Sequence, residues 1–120
     1  MIADLLWSDP SEKEGFTFSQ RNAGYLFGED IVDRFLEVNG FTCILRAHQL
    51  CAEGYQTWFG GKLATVWSAP NYCYRCGNVA SILEIDENLE LTFNTFSAAP
   101  DNERCIPRPD AFDAPPLYFL

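Results

Sequence analysis

Glu29-Asp30-Ile31-Val32-Asp33-Arg34-Phe35-Leu36-Glu37-Val38-Asn39-Gly40 is the stretch that decides the fold class. Ile31, Val32, Phe35 and Leu36 recur at helical spacing. Glu29 and Asp30 fall in the first turn, where the helix dipole favours negative charge, and Asn39-Gly40 is a stop signal. The spacing predicts a single helix over 29–39. Downstream, residues 41–47 are apolar and partly β-branched and predict a buried strand. Residues 55–59 and 62–67 flank Gly60-Gly61, a two-residue hairpin signal because both glycines can take positive φ. Residues 78–85 and 89–96 flank Asp86-Glu87-Asn88 and predict a second hairpin. Upstream, residues 11–28 read as loop punctuated by Gly15, Gly24 and Gly28. A loop, a helix and then mostly antiparallel strands define an α+β class or one half of a β-sandwich.

The chain has 120 residues, 48% hydrophobic and 15% aromatic, which suffices for a core and excludes whole-chain disorder. Eight Lys and Arg against 17 Asp and Glu give a net charge of −9, so neither nucleic acid nor an anionic membrane surface is an expected partner. No stretch approaches the roughly 20 apolar residues of a membrane span. Residues 1–10 carry Asp4 and Asp9 but no cationic segment, so no signal peptide is expected. The odd number of cysteines, five, points to a reducing compartment, cytoplasm or nucleus. Pro100, Pro107, Pro109, Pro115 and Pro116 crowd residues 98–120 and predict an extended tail behind a globular part at 1–97.

His48 is the only histidine and follows the strand predicted at 41–47. A lone histidine is a structural hydrogen-bonding residue more often than a metal ligand, although neutral imidazole binds metals readily. Cys73-Tyr74-Arg75-Cys76 has the C-x-x-C spacing of a redox pair or half a zinc site. It does not open a helix, and the remaining cysteines are single, so loop cysteines are the stronger reading. Arg21, in the loop Ser19-Gln20-Arg21-Asn22-Ala23-Gly24, is either a phosphate fork or a surface charge, and Arg46 and Arg75 are open in the same way. Trp58, Phe59, Trp67, Phe93 and Phe96 read as hairpin core. No phosphate loop, nucleophile elbow or paired-histidine zinc helix occurs. From the residues alone the chain is an acidic intracellular α+β domain.

Longer strings add a resemblance. They are Asp4-Leu5-Leu6-Trp7-Ser8-Asp9-Pro10, Arg46-Ala47-His48-Gln49-Leu50, Glu53-Gly54-Tyr55, Ser68-Ala69-Pro70-Asn71-Tyr72-Cys73-Tyr74-Arg75-Cys76-Gly77-Asn78 and the terminal Tyr118-Phe119-Leu120. Together they resemble the C-terminal part of the phosphoprotein phosphatase family of serine/threonine phosphatases, in its type 2A-like group. Residues 64–85 and 100–104 look most like the type 4 and type 6 catalytic subunits. The resemblance implies part of a metallophosphatase β-sandwich whose two divalent metals (manganese, iron or zinc) serve hydrolysis of phosphoserine and phosphothreonine. It implies that His48 is a metal ligand, Arg21 a clamp on the substrate phosphate and Tyr72 a neighbour of the phosphate. Trp7 and Cys73 match residues at the edge of the substrate cleft, where toxin inhibitors bind. Leu120 matches a carboxyl-methylation site, and the tail matches the docking site of regulatory and scaffold subunits and of a methyltransferase.

The sequence also departs from the family. Gln20 and Asn22 stand where Pro and Gly are usual, and Asn is the better tolerated of the two on left-handed backbone. Leu117 replaces the usual Asp before Tyr118, which weakens the methylation match at Leu120. The family's Gly-Asp-x-His-Gly, Gly-Asp-x-Val-Asp-Arg-Gly and Gly-Asn-His-Glu strings, which supply most metal ligands and the proton donor, occur nowhere. The chain therefore reads as a C-terminal fragment with one retained metal ligand, inactive alone and poorly folded alone. The alternative is a non-catalytic module that binds regulatory subunits through its tail. A zinc module on Cys73 and Cys76 is a third reading.

Overall fold

The computed structural model describes residues 2–104. Its elements in chain order are α1 (Ile2–Trp7), β1 (Asp9–Pro10), β2 (Phe16–Phe18), β3 (Tyr25–Phe27), α2 (Glu29–Asn39), β4 (Ile44–Arg46), β5 (Tyr55–Trp58), β6 (Leu63–Val66), β7 (Ala80–Ile85) and β8 (Leu91–Phe96). Short 3₁₀ turns occupy Phe59–Gly61, Tyr72–Tyr74 and Asp101–Glu103. The chain divides into two compact units, residues 2–49 with 56–66, and residues 50–55 with the described part of 67–104.

The first unit is built on α2, which occupies the span its periodicity predicts. Val32 and Leu36, one turn apart, are buried with Leu63 of β6, and Phe27, Ile44, Trp58 and Phe59 pack around them. The helix ends in a Schellman arrangement. Gly40 sits at φ 66°, its N–H reaches the Glu37 carbonyl, and the Phe41 N–H reaches the Leu36 carbonyl at 3.0 Å. One sheet of this unit has the order β1-β3-β2, parallel between β1 and β3 and antiparallel between β2 and β3. The other has the order β4-β6-β5, with β4 and β6 parallel in the register Ile44↔Leu63. An apolar cavity of about 520 Å³ is lined by residues including Leu5, Phe16, Phe27, Phe35 and Ile44.

The second unit is built on the antiparallel hairpin β7–β8, in register from Ala80↔Phe96 to Ile85↔Leu91. Its turn is tied by Asp86, whose Oδ1 accepts the N–H groups of Asn88 and Glu90, each at 2.8 Å. Gly54 lies where a Cβ would come within 2.5 Å of the Ala80 carbonyl carbon. The Trp67 N–H donates to the Gly54 carbonyl and the Ser81 N–H to the Trp67 carbonyl, each at 2.8 Å. Tyr55 stacks on Phe93 with centroids 4.2 Å apart.

The α+β class stands, with corrections of detail. Residues 11–28 are not all loop, because they hold β2 and β3, each three residues long and too short to show a period. A second helix, α1, precedes them. The strand expected at 41–47 shrinks to Ile44–Arg46, because residues 41–43 leave the Schellman turn before pairing begins. The Gly60-Gly61 hairpin is wider than two residues, since Phe59, Gly60 and Gly61 all take positive φ and Lys62 closes the turn onto the Phe59 carbonyl. Strand pairing is parallel for β1–β3 and β4–β6 and antiparallel for β2–β3 and β7–β8. The five aromatics expected in one hairpin core divide instead. Trp58 and Phe59 pack beside Val32 and Leu63, whereas Phe93 stacks on Tyr55 and Trp67 meets Tyr72 edge-on.

Candidate functional site

In the first unit the chain gathers Trp7, Arg21 and His48 around a residue that the sequence did not single out, Asp9. Asp9 follows α1 on β1 and is 3% exposed. Arg21, in the β2–β3 loop, donates from Nε to Asp9 Oδ2 at 2.8 Å. Arg46, at the end of β4, donates from Nη2 to Asp9 Oδ1 at 2.8 Å and to the Ser8 carbonyl at 3.1 Å. Its Nη1 reaches Gln49 Oε1 at 2.6 Å and the buried Thr65 hydroxyl at 3.2 Å. Two guanidinium groups share one carboxylate in a largely desolvated place, where charge-assisted hydrogen bonds are strong.

The loop that carries Arg21 is shaped by its small residues. The Arg21 N–H donates to Ser19 Oγ, and Asn22 takes φ 59°, the left-handed backbone that Asn tolerates. Gly24, at φ 69°, lies where a Cβ would fall 2.6 Å from the Trp7 carbonyl carbon, so only glycine fits. The Ser8 hydroxyl ties the two segments, donating to the Asp4 carbonyl and accepting the Tyr25 N–H.

His48 follows β4 on left-handed backbone, φ 80°. Non-glycine residues persist there only where their surroundings over-determine them, and such places cluster at functional sites. The imidazole meets the Trp7 ring edge-on, with centroids 5.3 Å apart. Burial pushes its pKa below the ordinary value of 6.5; Asp9 opposes this, and Arg21 and Arg46 add to it. Its Nε2 is buried and has no hydrogen-bond partner among the described residues. A neutral imidazole with a desolvated, unpaired nitrogen fits a metal ligand. Among the described residues no group of three or more His, Cys, Asp or Glu could hold a metal ion. Among the described residues His48 is the donor whose surroundings fit a position of a metal centre.

Tyr72 and Cys73 belong to the second unit, in the loop between β6 and β7. Tyr72 to Tyr74 form a 3₁₀ turn in which Asn71, Cys73 and Tyr74 have φ of 44°, 55° and 60°. Tyr72 packs edge-on against Trp67 at 4.8 Å, and the Trp67 indole N–H donates to the Ala69 carbonyl at 2.7 Å. Cys73 and Cys76 are free thiols. The loop closes with Gly77 and runs into β7, so the C-x-x-C does not head a helix. Leu120 and most of the tail at 98–120 lie outside the described residues.

Sequence reasoning missed Asp9 and Asn78. Both sit inside the quoted strings, Asp9 before Pro10 and Asn78 after Gly77. Short polar side chains beside Pro or Gly are commonly turn residues, which hid them.

The comparisons define first a class and then a group. A solved Saccharomyces cerevisiae protein serine/threonine phosphatase, described as similar to human phosphatase PP5, superposes with a TM-score of 0.72 at 40% identity. The match covers 81% of this chain and 34% of that one, so the α+β fold of this chain is similar to a portion of that phosphatase. Over 120 residues the chain is 56% identical to a protein phosphatase 2A catalytic subunit of Dictyostelium discoideum. Over 107 residues it is 55% identical to the serine/threonine-protein phosphatase ppe1 of Schizosaccharomyces pombe. These matches take in 99% and 88% of this chain but only 38% and 35% of the relatives, in their C-terminal part. No protein-family model matches. The chain is thus similar, nearly end to end, to the C-terminal part of type 2A-like serine/threonine phosphatase catalytic subunits.

Proposed function

We propose that the protein carrying this chain is a metal-dependent phosphatase of phosphoserine and phosphothreonine in proteins, and that this chain supplies part of its site. The observation that carries the reading is the 56% identity over 120 residues. The cluster around Asp9 gives it physical sense. Arg21, oriented through Nε by Asp9, pairs its charge with the substrate phosphate and stabilises negative charge as it develops. His48 holds one of two divalent metals through the buried Nε2. When bound, such metals supply Lewis-acid charge neutralisation and an activated water for attack on phosphorus. The identity of the metals, manganese, iron or zinc, is not part of the supporting geometry. Tyr72, by resemblance, lines the substrate phosphate, and Trp7 and Cys73 line the groove. The remaining ligands and the proton donor belong to the part of the relatives that this chain does not span.

In the same reading residues 98–120 dock regulatory or scaffold subunits, Leu120 carries a carboxyl methyl ester, and the enzyme works in the cytoplasm or nucleus. Among the described residues no helix is long and apolar enough to cross a membrane.

The test uses the longest polypeptide of the native host that carries residues 1–120. His48→Ala is expected to lower bound metal and phosphopeptide hydrolysis together. Arg21→Ala is expected to lower kcat/KM by about a hundredfold with metal content unchanged. Full activity in both variants would overturn the reading.

A further inference from the structure

The loop between β6 and β7 holds an unusual amount of strained backbone. Asn71, Cys73 and Tyr74 all stand at positive φ within four residues, and Gly77 follows at φ 66°. Positive φ is uncommon outside glycine, and worst tolerated by bulky side chains such as Tyr. Such a segment persists only if something outside it fixes the chain.

The fixing element is one residue. Asn78 is 5% exposed, and its side-chain amide makes three hydrogen bonds. Oδ1 accepts the Tyr72 N–H at 2.8 Å. Nδ2 donates to the Ala69 carbonyl at 2.9 Å and to the Val79 carbonyl at 2.8 Å. Its backbone carbonyl accepts the Asn71 N–H at 2.8 Å. Asn78 thus grips the loop at its entry, Ala69, at its crest, Tyr72, and at its exit, Val79. Asn71 completes the ring, since its Oδ1 accepts the Gly77 N–H at 3.0 Å and its carbonyl accepts the Tyr74 N–H at 2.8 Å. The Ala69 carbonyl also receives the Trp67 indole N–H, and that indole abuts the Tyr72 ring. Tyr72 is held by its backbone from one side and by its ring from the other.

The pattern is specific to an asparagine. The position needs an acceptor for one N–H and a donor for two carbonyls, and only an amide of this length offers both. Aspartate keeps the acceptor and loses both donations. Glutamine is too long for a buried cage.

We infer that Asn78 is a positioning residue: its amide locks loop 69–78 in the strained form that presents Tyr72 to a phosphorylated substrate. This rests on the phosphatase reading for the role of Tyr72, whereas the lock itself stands on the hydrogen bonds alone. The hydrogen bonds of the lock all lie within the chain, so the loop is set before binding and the ordering cost is not met at the moment of encounter.

The experiment compares wild type, Asn78→Asp and Asn78→Ala in the longest native-host polypeptide that carries residues 1–120. Two readouts are taken. Amide hydrogen exchange over 67–79 is read against exchange over β7 and β8. Steady-state KM and kcat are measured on a phosphopeptide, normalised to folded protein. The expected result is loop exchange about tenfold faster in Asn78→Ala and at least as fast in Asn78→Asp, whose carboxylate would face the Ala69 and Val79 carbonyls, with hairpin exchange unchanged. KM is expected to rise about tenfold while kcat changes far less, the mark of a displaced binding group. Unchanged loop exchange would overturn the lock. Faster loop exchange with unaltered KM would overturn the positioning role. Faster loop exchange in a polypeptide without phosphatase activity in any form would overturn the phosphatase reading and leave the lock supported.

Discussion

The chain fixes two patches of candidate chemistry by opposite means. In the first unit one buried carboxylate, Asp9, is shared by two guanidinium groups, and the neighbouring imidazole is left with an unpaired nitrogen. In the second unit a neutral amide, Asn78, satisfies three backbone groups and holds left-handed backbone in place. The first arrangement is built from charged groups. The second carries none and fixes shape. The difference also predicts how each patch fails. Removing a buried partner of a charge leaves that charge uncompensated, whereas removing a neutral partner leaves only unmet hydrogen bonds.

The sharpest way to break this comparison is Asp9→Ala. Arg21 and Arg46 have side chains only 17% and 13% exposed, and both would lose the buried carboxylate they share. A loss of about 3–5 kcal/mol is expected for the first unit. Denaturant unfolding followed by tryptophan emission, in the longest polypeptide carrying the chain, measures it. Asp9→Asn should cost less, because an amide oxygen still accepts one guanidinium. Equal costs would mean that charge is not what holds the patch.

Next come two glycines, one in each unit. Gly24→Ala drives a Cβ to 2.6 Å from the Trp7 backbone, and Gly54→Ala drives one to 2.5 Å from the Ala80 backbone. Both glycines have positive φ, so each substitution should cost about 2 kcal/mol or more, by the same measurement. Steric cost does not depend on charge, so the two units should respond alike. A large asymmetry would show that one backbone yields.

Trp67→Phe is a smaller test of the neutral patch. It removes the donor to the Ala69 carbonyl and keeps a ring against Tyr72. A loss of about 1 kcal/mol is expected, because Asn78 still donates to that carbonyl. A loss as large as that of Asp9→Ala would erase the distinction between the patches.

The smallest effects are set by pH, and the two units respond at opposite ends of the scale. Lys62 has its pKa raised above 10.5 by a hydrogen bond to Asp33, then by one to Glu29. A raised basic pKa gives stability that is complete below 10.5 and is lost as pH climbs through the folded value. Asp86 has its pKa lowered below 3.8, first by the Glu90 backbone N–H and then by Asn88. A lowered acidic pKa gives stability that is complete above 3.8 and is lost as pH falls through the folded value. Both groups are exposed, so the effects are slight and screened by salt for Lys62. Lys62→Met should therefore differ from wild type at pH 8 and converge with it only once pH passes the raised folded value. Asp86→Ala should converge with wild type only in acid.

The fold was partly legible in the sequence. Helix α2 was readable because eleven residues give a full apolar stripe, and β7–β8 because two six-residue strands flank the turn at Asp86-Glu87-Asn88. Strands β1, β2 and β3 were not, since two or three residues carry no period and pairing across the β2–β3 loop is a tertiary fact. The parallel pairing of β4 with β6 left no local mark either. Arg21, His48 and Tyr72 came from strings, not from spacing. Their surroundings could not be read at all, because Asp9 lies 12 residues from Arg21 and 37 from Arg46 in the chain. Asn22 is the exception. Its substitution for glycine suggested left-handed backbone, and its φ is 59°.

The central claim is that this chain contributes one metal ligand and one phosphate clamp to a site completed by sequence it does not contain. The direct test is metal-dependent phosphopeptide hydrolysis by the native-host product, captured through residues 98–120 and weighed intact, beside the pure 120-residue chain. The account predicts activity in a product well above 13.6 kDa, and none in the chain alone. Metal-dependent hydrolysis by the pure chain, or a captured product of 13.6 kDa with full activity, would contradict it.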